Sequence, residues 1–176
     1  MTAALTWARA RPLGSVFAAA IAAPVLVRYG AGPAGVIAAL TCAVLVVLSV
    51  IDFETRRLPN VIVLPTAALV LAARLATAPE EWATWLGAGL GAFACFFLLA
   101  LVYPAGMGMG DVKLMLLLGF ALGSAVLPAL MVGTLAAALA GAILLLREGG
   151  EARRRTIPFG PFLAFGAVAV TLLLTP

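Results

Sequence analysis

The sequence predicts an all-α membrane protein, a bundle of about seven transmembrane helices. Of its 176 residues, 65% are hydrophobic and 10% are charged, against roughly 45–50% apolar and about 25% charged residues in an ordinary soluble domain. The mean hydropathy is +1.20, and long uncharged runs separate the charges. A water-soluble fold is therefore excluded, and we expect one integral-membrane domain over residues 1–176.

The uncharged runs predict helices, because they are continuously apolar and rich in alanine and leucine, without the alternation of a barrel strand. A bilayer core of ~30 Å takes roughly 20 helical residues. In chain order the runs cover 12–27, 29–51, 58–73, 82–110, 114–146 and 156–176. The predicted helices occupy 12–28, 33–52, 59–78, 83–103, 105–123, 125–146 and 158–175. Six spans remain the alternative if the first helix is peripheral.

The run at 114–146 is too long for one crossing and short for two. Two crossings, with a turn at Gly123-Ser124, place Lys113 and the basic cluster at 147–155 on one side. Nine of the 11 basic residues then lie on the predicted cytoplasmic side. These are Arg9, Arg11, Arg56, Arg57, Lys113, Arg147, Arg153, Arg154 and Arg155. Arg28 and Arg74 face the other side.

The missing residue types exclude several kinds of site. The sequence has no histidine, which excludes a histidine-based triad, histidine-ligated zinc and histidine-held haem. Cys42 and Cys95 stand alone in apolar runs, so they form no CxxC pair. We therefore expect no metal and no cofactor. The net charge of +4 comes from residues at the ends of apolar runs, which indicates contact with lipid headgroups and not with nucleic acid.

Two aspartates are the candidate functional residues. An ionisable group inside a membrane span costs about 2.5–3.5 kcal/mol at mid-bilayer, and it is a functional hypothesis by default. Asp52 ends one apolar run, and Asp111 begins another on the same predicted side. Each has a purely structural alternative. Asp52 could open a polar loop before Pro59, and Asp111 could cap a helix that starts near Val112.

Glycines precede the second aspartate at every other position. Gly106, Gly108 and Gly110 remove side chains, so the backbone there can unwind or admit an extended peptide. Two carboxyls in contact share one proton. The ionised one can then activate a water while the protonated one polarises a carbonyl, as amide hydrolysis requires. Lys113 could bias this pair, but residues two apart on a helix point to different faces, which favours headgroup contact.

Three segments resemble motifs of the type IV prepilin peptidases. IDFETRRLPN at 51–60 is similar to their first aspartate motif, GMGMGDVKL at 106–114 to their GxGD motif, and IPFGPFLAF at 157–165 to their Pro-Phe-Gly-Pro signature. Together they span about 49–166. The GxGD arrangement also resembles presenilin-type proteases, although the other two motifs favour the prepilin branch.

The resemblance implies an aspartic endopeptidase of the bacterial inner membrane. It would cut the basic leader from type IV prepilins or pseudopilins at the cytoplasmic face, with Asp52 and Asp111 as the catalytic dyad and Gly108 and Gly110 admitting the substrate. Many family members also carry a CxxC-containing insert and methylate the new N-terminus. This sequence has neither insert nor CxxC, so we expect peptidase activity alone, without S-adenosylmethionine or zinc.

Two other function classes remain as alternatives. A small transporter or channel subunit could use Asp52 and Asp111 as a proton or cation relay. An assembly factor could use its many alanines and glycines only for helix contact.

Overall fold

The computed structural model describes the backbone of residues 2–104, 107–149 and 158–173, and side chains in these ranges from residue 16 onward. This part of the chain forms seven α-helices and no strand, which confirms the all-α prediction. The helices are α1 (Thr2–Tyr29), α2 (Pro33–Thr55), α3 (Asn60–Thr77), α4 (Trp82–Val102), α5 (Met109–Leu122), α6 (Val126–Glu148) and α7 (Gly160–Leu173). Short 3₁₀ turns at Pro79–Glu81 and Gly123–Ala125 lead into α4 and α6.

Three predicted helix ends are wrong by three residues or more. Helix α1 starts at Thr2 instead of residue 12. Residues 2–11 extend the helix because they are rich in the strong helix formers alanine, leucine and arginine. Helix α2 continues to Thr55, since nothing before Arg56 interrupts it. Helix α5 starts at Met109 instead of residue 105, because Gly108 has an extended backbone (φ −75°, ψ 137°).

Four segments of the described chain are long and apolar enough to cross a membrane: Pro33–Thr55, Asn60–Thr77, Pro79–Val102 and Met109–Glu148. Val16–Tyr29 and Gly160–Leu173 are shorter apolar helices. The chain is thus an integral membrane protein.

The longest of these segments reverses direction at the predicted turn. A Cβ on Gly133 of α6 would meet Leu163 of α7, and one on Gly166 of α7 would meet the backbone of Ala129 of α6. These contacts place α6 antiparallel to α7. Because α5 and α7 begin at the same end of the bundle, α6 is also antiparallel to α5. Gly123 takes a positive φ of 55° at the turn, a conformation that glycine adopts at no steric cost.

The helix order gives the bundle two distinct ends. At one end, called the aspartate end because Asp52 and Asp111 lie there, α2 ends and α3, α5 and α7 begin. At the opposite end, called the far end, α1, α3, α5 and α7 end. Helix α5 lies in the core against α4, α3, α7 and α2. Its side chains Val112, Met115, Leu117 and Leu118 are completely buried (0% exposed). The first turn of α5, which carries Asp111, is therefore fixed by the most buried helix of the fold.

Small residues let α4 and α5 approach closely. A Cβ on Gly119 of α5 would overlap the backbone of Gly89 and Ala88 in α4. In a bilayer, where apolar side chains gain little from leaving lipid, such backbone contact is a main source of helix association. The α4–α5 pair therefore depends on glycine at position 119.

We expect Gly119→Ala to lower the thermal stability of the protein in detergent. The added methyl would meet backbone that cannot rotate away, and overpacking of this kind costs roughly 1–3 kcal/mol. Gly91→Ala is the matched control, because a Cβ on Gly91 meets nothing within 4 Å. Melting followed by circular dichroism measures both. Equal melting temperatures for the two variants would contradict this account of the α4–α5 contact.

Candidate active site

Asp52 lies inside α2 and is 6% exposed. The alternative that it opens a polar loop is therefore wrong, because the helix continues for three more residues. The helix ends when Arg56 donates its backbone N–H to the Asp52 carbonyl oxygen at 2.7 Å and turns left-handed, with φ 53°. The buried carboxyl thus belongs to a rigid helical turn and not to a flexible connection.

The carboxyl of Asp52 contacts the beginning of α7. The backbone N–H of Gly160 donates to Asp52 Oδ2 at 3.1 Å, in a buried hydrogen bond. A Cβ on Gly160 would lie 2.7 Å from the same oxygen, so only glycine permits this approach. The sequence identified the Pro-Phe-Gly-Pro segment but gave its glycine no role. The sequence signal that could have identified Gly160 is its place near the start of a predicted helix, where a backbone N–H is available to a buried carboxyl.

Asp111 lies in the first turn of α5 and is half-buried. The alternative that it caps this helix is wrong: the N-cap residue is Gly108, and no side chain makes a capping hydrogen bond there. The Asp111 N–H itself donates to the Gly108 carbonyl at 3.0 Å. Its carboxyl is therefore not engaged in capping.

The glycines before Asp111 differ in what they contact. A Cβ on Gly110 would lie 3.0 Å from Leu58 Cβ, so this glycine lets α5 pack against the segment between α2 and α3. A Cβ on Gly108 would make only ordinary contact with Asp111 Oδ2, at 3.5 Å. Of the stretch from Gly108 to Asp111 only Gly108 is extended, since the helix starts at Met109. Gly106 lies outside the described residues.

Both aspartates line one pocket of about 320 Å³ at the aspartate end. The remaining walls come from the end of α2, the start of α3 and the start of α5. The other lining residues are Arg56, Arg57, Leu58, Asn60, Gly108, Met109, Gly110 and Lys113. The prediction that Asp52 and Asp111 converge on one side of the protein is confirmed.

Lys113 takes part in this pocket, which the sequence argument missed. Its Nζ donates to Asn60 Oδ1 at 3.1 Å, joining the first turn of α5 to that of α3. The expectation that it only meets headgroups is therefore wrong. Residues two apart diverge on one helix, yet Asp111 and Lys113 both line this pocket.

The basic residues separate between the two ends as predicted. Arg56, Arg57 and Lys113 line the aspartate pocket, and Arg147 is in the last turn of α6, which runs toward that end. Arg28 and Arg74 are in the last turns of α1 and α3, at the far end. The cluster Arg153–Arg155 and the side chains of Arg9 and Arg11 lie outside the described residues.

Asp52 and Asp111 supply this pocket with two carboxyls, the groups that an acid–base pair requires. Two carboxyls on one small polar wall favour a shared proton, which leaves one ionised and one protonated. Among the residues that the structure describes, no three His, Cys, Asp or Glu side chains come together as metal ligands. The absence of a metal in the working protein stays a prediction.

We expect Arg56→Gly to raise the stability of the protein. Arg56 is the one non-glycine residue with positive φ in the described chain. Left-handed backbone costs an L-residue roughly 1–2 kcal/mol, which glycine avoids. Arg57→Gly is the control, since Arg57 has no positive φ and the change there only adds freedom to the unfolded chain. Thermal melting in detergent compares them, and a melting temperature that rises in neither variant would refute the left-handed end of α2.

The chain is similar to known leader peptidases over most of its length. A family model described as the type IV leader peptidase family matches residues 39–146. The proteins named prepilin leader peptidase/N-methyltransferase include relatives in three bacteria. The Burkholderia pseudomallei (strain 1026b) protein is 35% identical over 94% of this chain and 55% of its own length. The Bacillus subtilis (strain 168) protein is 31% identical over 92% of this chain and 65% of its own length. The Pseudomonas putida protein is 35% identical over 90% of this chain and 57% of its own length.

The chain thus spans somewhat more than half the length of these relatives. No solved structure matches it significantly.

Proposed function

Because the chain belongs to the type IV leader peptidase family, we propose that it is an aspartic endopeptidase that cleaves the basic leader from type IV prepilins or pseudopilins. The observation that carries this proposal is the shared pocket of Asp52 and Asp111. The name of the relatives supports the substrate class. The glycines Gly108 and Gly110 flank the pocket where an extended peptide would enter.

The contacts of each carboxyl suggest its role. Asp52 accepts the Gly160 N–H at the positive end of α7, which stabilises a negative charge. Asp111 accepts no hydrogen bond within the described part of the chain, and it lines the same pocket as Asp52. We therefore assign the carboxylate to Asp52 and the proton to Asp111. This assignment makes Asp52 the general base and Asp111 the general acid.

Hydrolysis then needs no covalent intermediate. The Asp52 carboxylate takes a proton from water while the water oxygen bonds to the scissile carbonyl carbon, and Asp111 gives its proton to the carbonyl oxygen. When the C–N bond breaks, the proton on Asp52 passes to the leaving nitrogen. Asp111 recovers its proton from the tetrahedral hydroxyl as the new carboxyl forms. The two side chains end in the states in which they began.

The distribution of arginine and lysine supports an orientation in the membrane. We propose that the aspartate end faces the cytoplasm of a bacterial inner membrane, because Arg56, Arg57, Lys113 and Arg147 lie at that end. A prepilin would bind as a single-span protein with its leader on this side. The reaction we propose is peptide cleavage alone, since Cys42 and Cys95 are well separated and supply no CxxC pair.

We expect Asp52→Asn and Asp111→Asn each to abolish cleavage of a co-expressed prepilin. Loss of the general base or acid lowers the rate of cleavage about 10²- to 10⁴-fold. Glu54→Gln is the matched control, because it removes a carboxylate from the same helix at an exposed position. Gel mobility of the prepilin and the mass of its new N-terminus measure processing. Cleavage that persists in both Asn variants would reject Asp52 and Asp111 as the catalytic pair.

We expect Gly160→Ala to lower kcat about 10- to 100-fold while KM changes less than about threefold. The new methyl displaces the Asp52 carboxyl from its N–H donor, which affects the reacting groups more than substrate binding. Gly141→Ala is the control, with open space around its Cβ. Steady-state cleavage of a detergent-solubilised prepilin gives both constants. A rise in KM at unchanged kcat would contradict the positioning role of Gly160.

A further inference from the structure

A second cavity of about 320 Å³ lies at the far end of the bundle. It is separate from the aspartate pocket: Arg74 in its wall follows Asn60 by 14 positions on α3, or roughly 21 Å along the axis. Six of the seven helices end or begin around it. Its polar lining residues include Tyr29, Thr41, Arg74, Glu81, Trp85 and Thr171.

Arg74 is fixed in the wall of this cavity. Its Nη2 donates to the Ala121 carbonyl oxygen at 2.6 Å, at the end of α5. Its Cζ lies 4.5 Å from the ring centroid of Trp85, a distance at which cation and ring attract. The guanidinium is therefore held between α3, α4 and α5 and is not free to extend into solvent.

The same two side chains carry unsatisfied donors. Arg74 Nε and Trp85 Nε1 are both buried and have no hydrogen-bond partner in the described chain. Trp85 as a whole is 8% exposed. Leaving a buried donor unpaired is energetically unfavourable, because it has lost its hydrogen bonds to water. Two donors without a partner thus lie on neighbouring side chains that line one cavity.

The cavity also carries an acidic group. Glu81 is exposed, and it lies in the turn Pro79–Glu81 that connects α3 to α4. It lines the same cavity as Arg74. The lining therefore combines a half-buried cation with an exposed carboxylate. A simple anion would be repelled by Glu81, whereas a ligand with both charges matches the two groups.

We propose that this cavity binds the head group of a zwitterionic aminophospholipid. A phosphate oxygen accepts hydrogen bonds from Arg74 and Trp85, and the ammonium group lies beside the Glu81 carboxylate. Arginine suits phosphate because its planar donors match the phosphate oxygens. The lipid is the favoured source, because the turn at Pro79–Glu81 forms the beginning of the membrane-spanning segment Pro79–Val102 and so lies near headgroup level. A volume of about 320 Å³ is at the small end of ligand pockets.

Native mass spectrometry of the full chain in detergent tests the proposal with short-chain phosphatidylethanolamine as the probe. Trp85→Phe keeps an aromatic ring but removes the N–H, and we expect it to weaken binding about five- to tenfold. Trp82→Phe makes the same change at an exposed position outside the cavity, and we expect it to leave binding unchanged. Equal binding by these two variants would overturn the proposal.

Glu81→Gln provides a second test of the proposal. This change does not disturb core packing, because Glu81 is exposed. We expect the native protein to bind phosphatidylethanolamine at least about fivefold more tightly than phosphatidylglycerol of the same chain length, and the variant to lose this preference. Equal binding of both lipids to the native protein would overturn the role of the ammonium group. Free phosphoethanolamine that binds as tightly as the lipid would overturn the membrane source. None of these readouts depends on the peptidase function.

Discussion

The hydrogen bond between the Gly160 N–H and the Asp52 carboxyl is the contact on which the candidate site depends. It joins the end of α2 to the start of α7 through two residues 108 positions apart in the chain. Asp52 is 6% exposed, and its carboxyl needs such a partner because a buried charge without hydrogen bonds is strongly unfavourable. The absence of a side chain at Gly160 makes the contact possible. Glycine at this position thus links the fold directly to the chemistry of Asp52.

The same dependence on small residues extends through the bundle. Gly110 allows α5 to pack against Leu58, and Gly119 allows α5 to pack against α4. The position of Asp111 follows from these contacts, since it lies in the first turn of the same helix. The two aspartates reach one pocket because both of their helices are fixed by close backbone approach. Lipid cannot supply this constraint, as it solvates apolar surfaces about as well as a helix does.

The scarcity of charge made Asp52 and Asp111 identifiable from the sequence, and the sidedness of arginine and lysine placed them together. Local signals could not find the end of α2. Glu54 and Thr55 look like loop residues, yet they continue the helix until Arg56 turns left-handed. Contacts between distant segments were also beyond the sequence argument. Neither the Gly160–Asp52 hydrogen bond nor the Lys113–Asn60 contact has a local pattern, because each depends on how the helices pack.

We propose that Asp52 and Asp111 act as one catalytic unit. The most direct test compares kcat/KM of the Asp52→Asn and Asp111→Asn double variant with that of each single variant, on one solubilised prepilin. Groups that act as a unit are strongly non-additive. If the two aspartates form a dyad, the double variant is within about threefold of the more impaired single variant. Losses that multiply in the double variant would show that the two aspartates act independently, and would contradict the dyad.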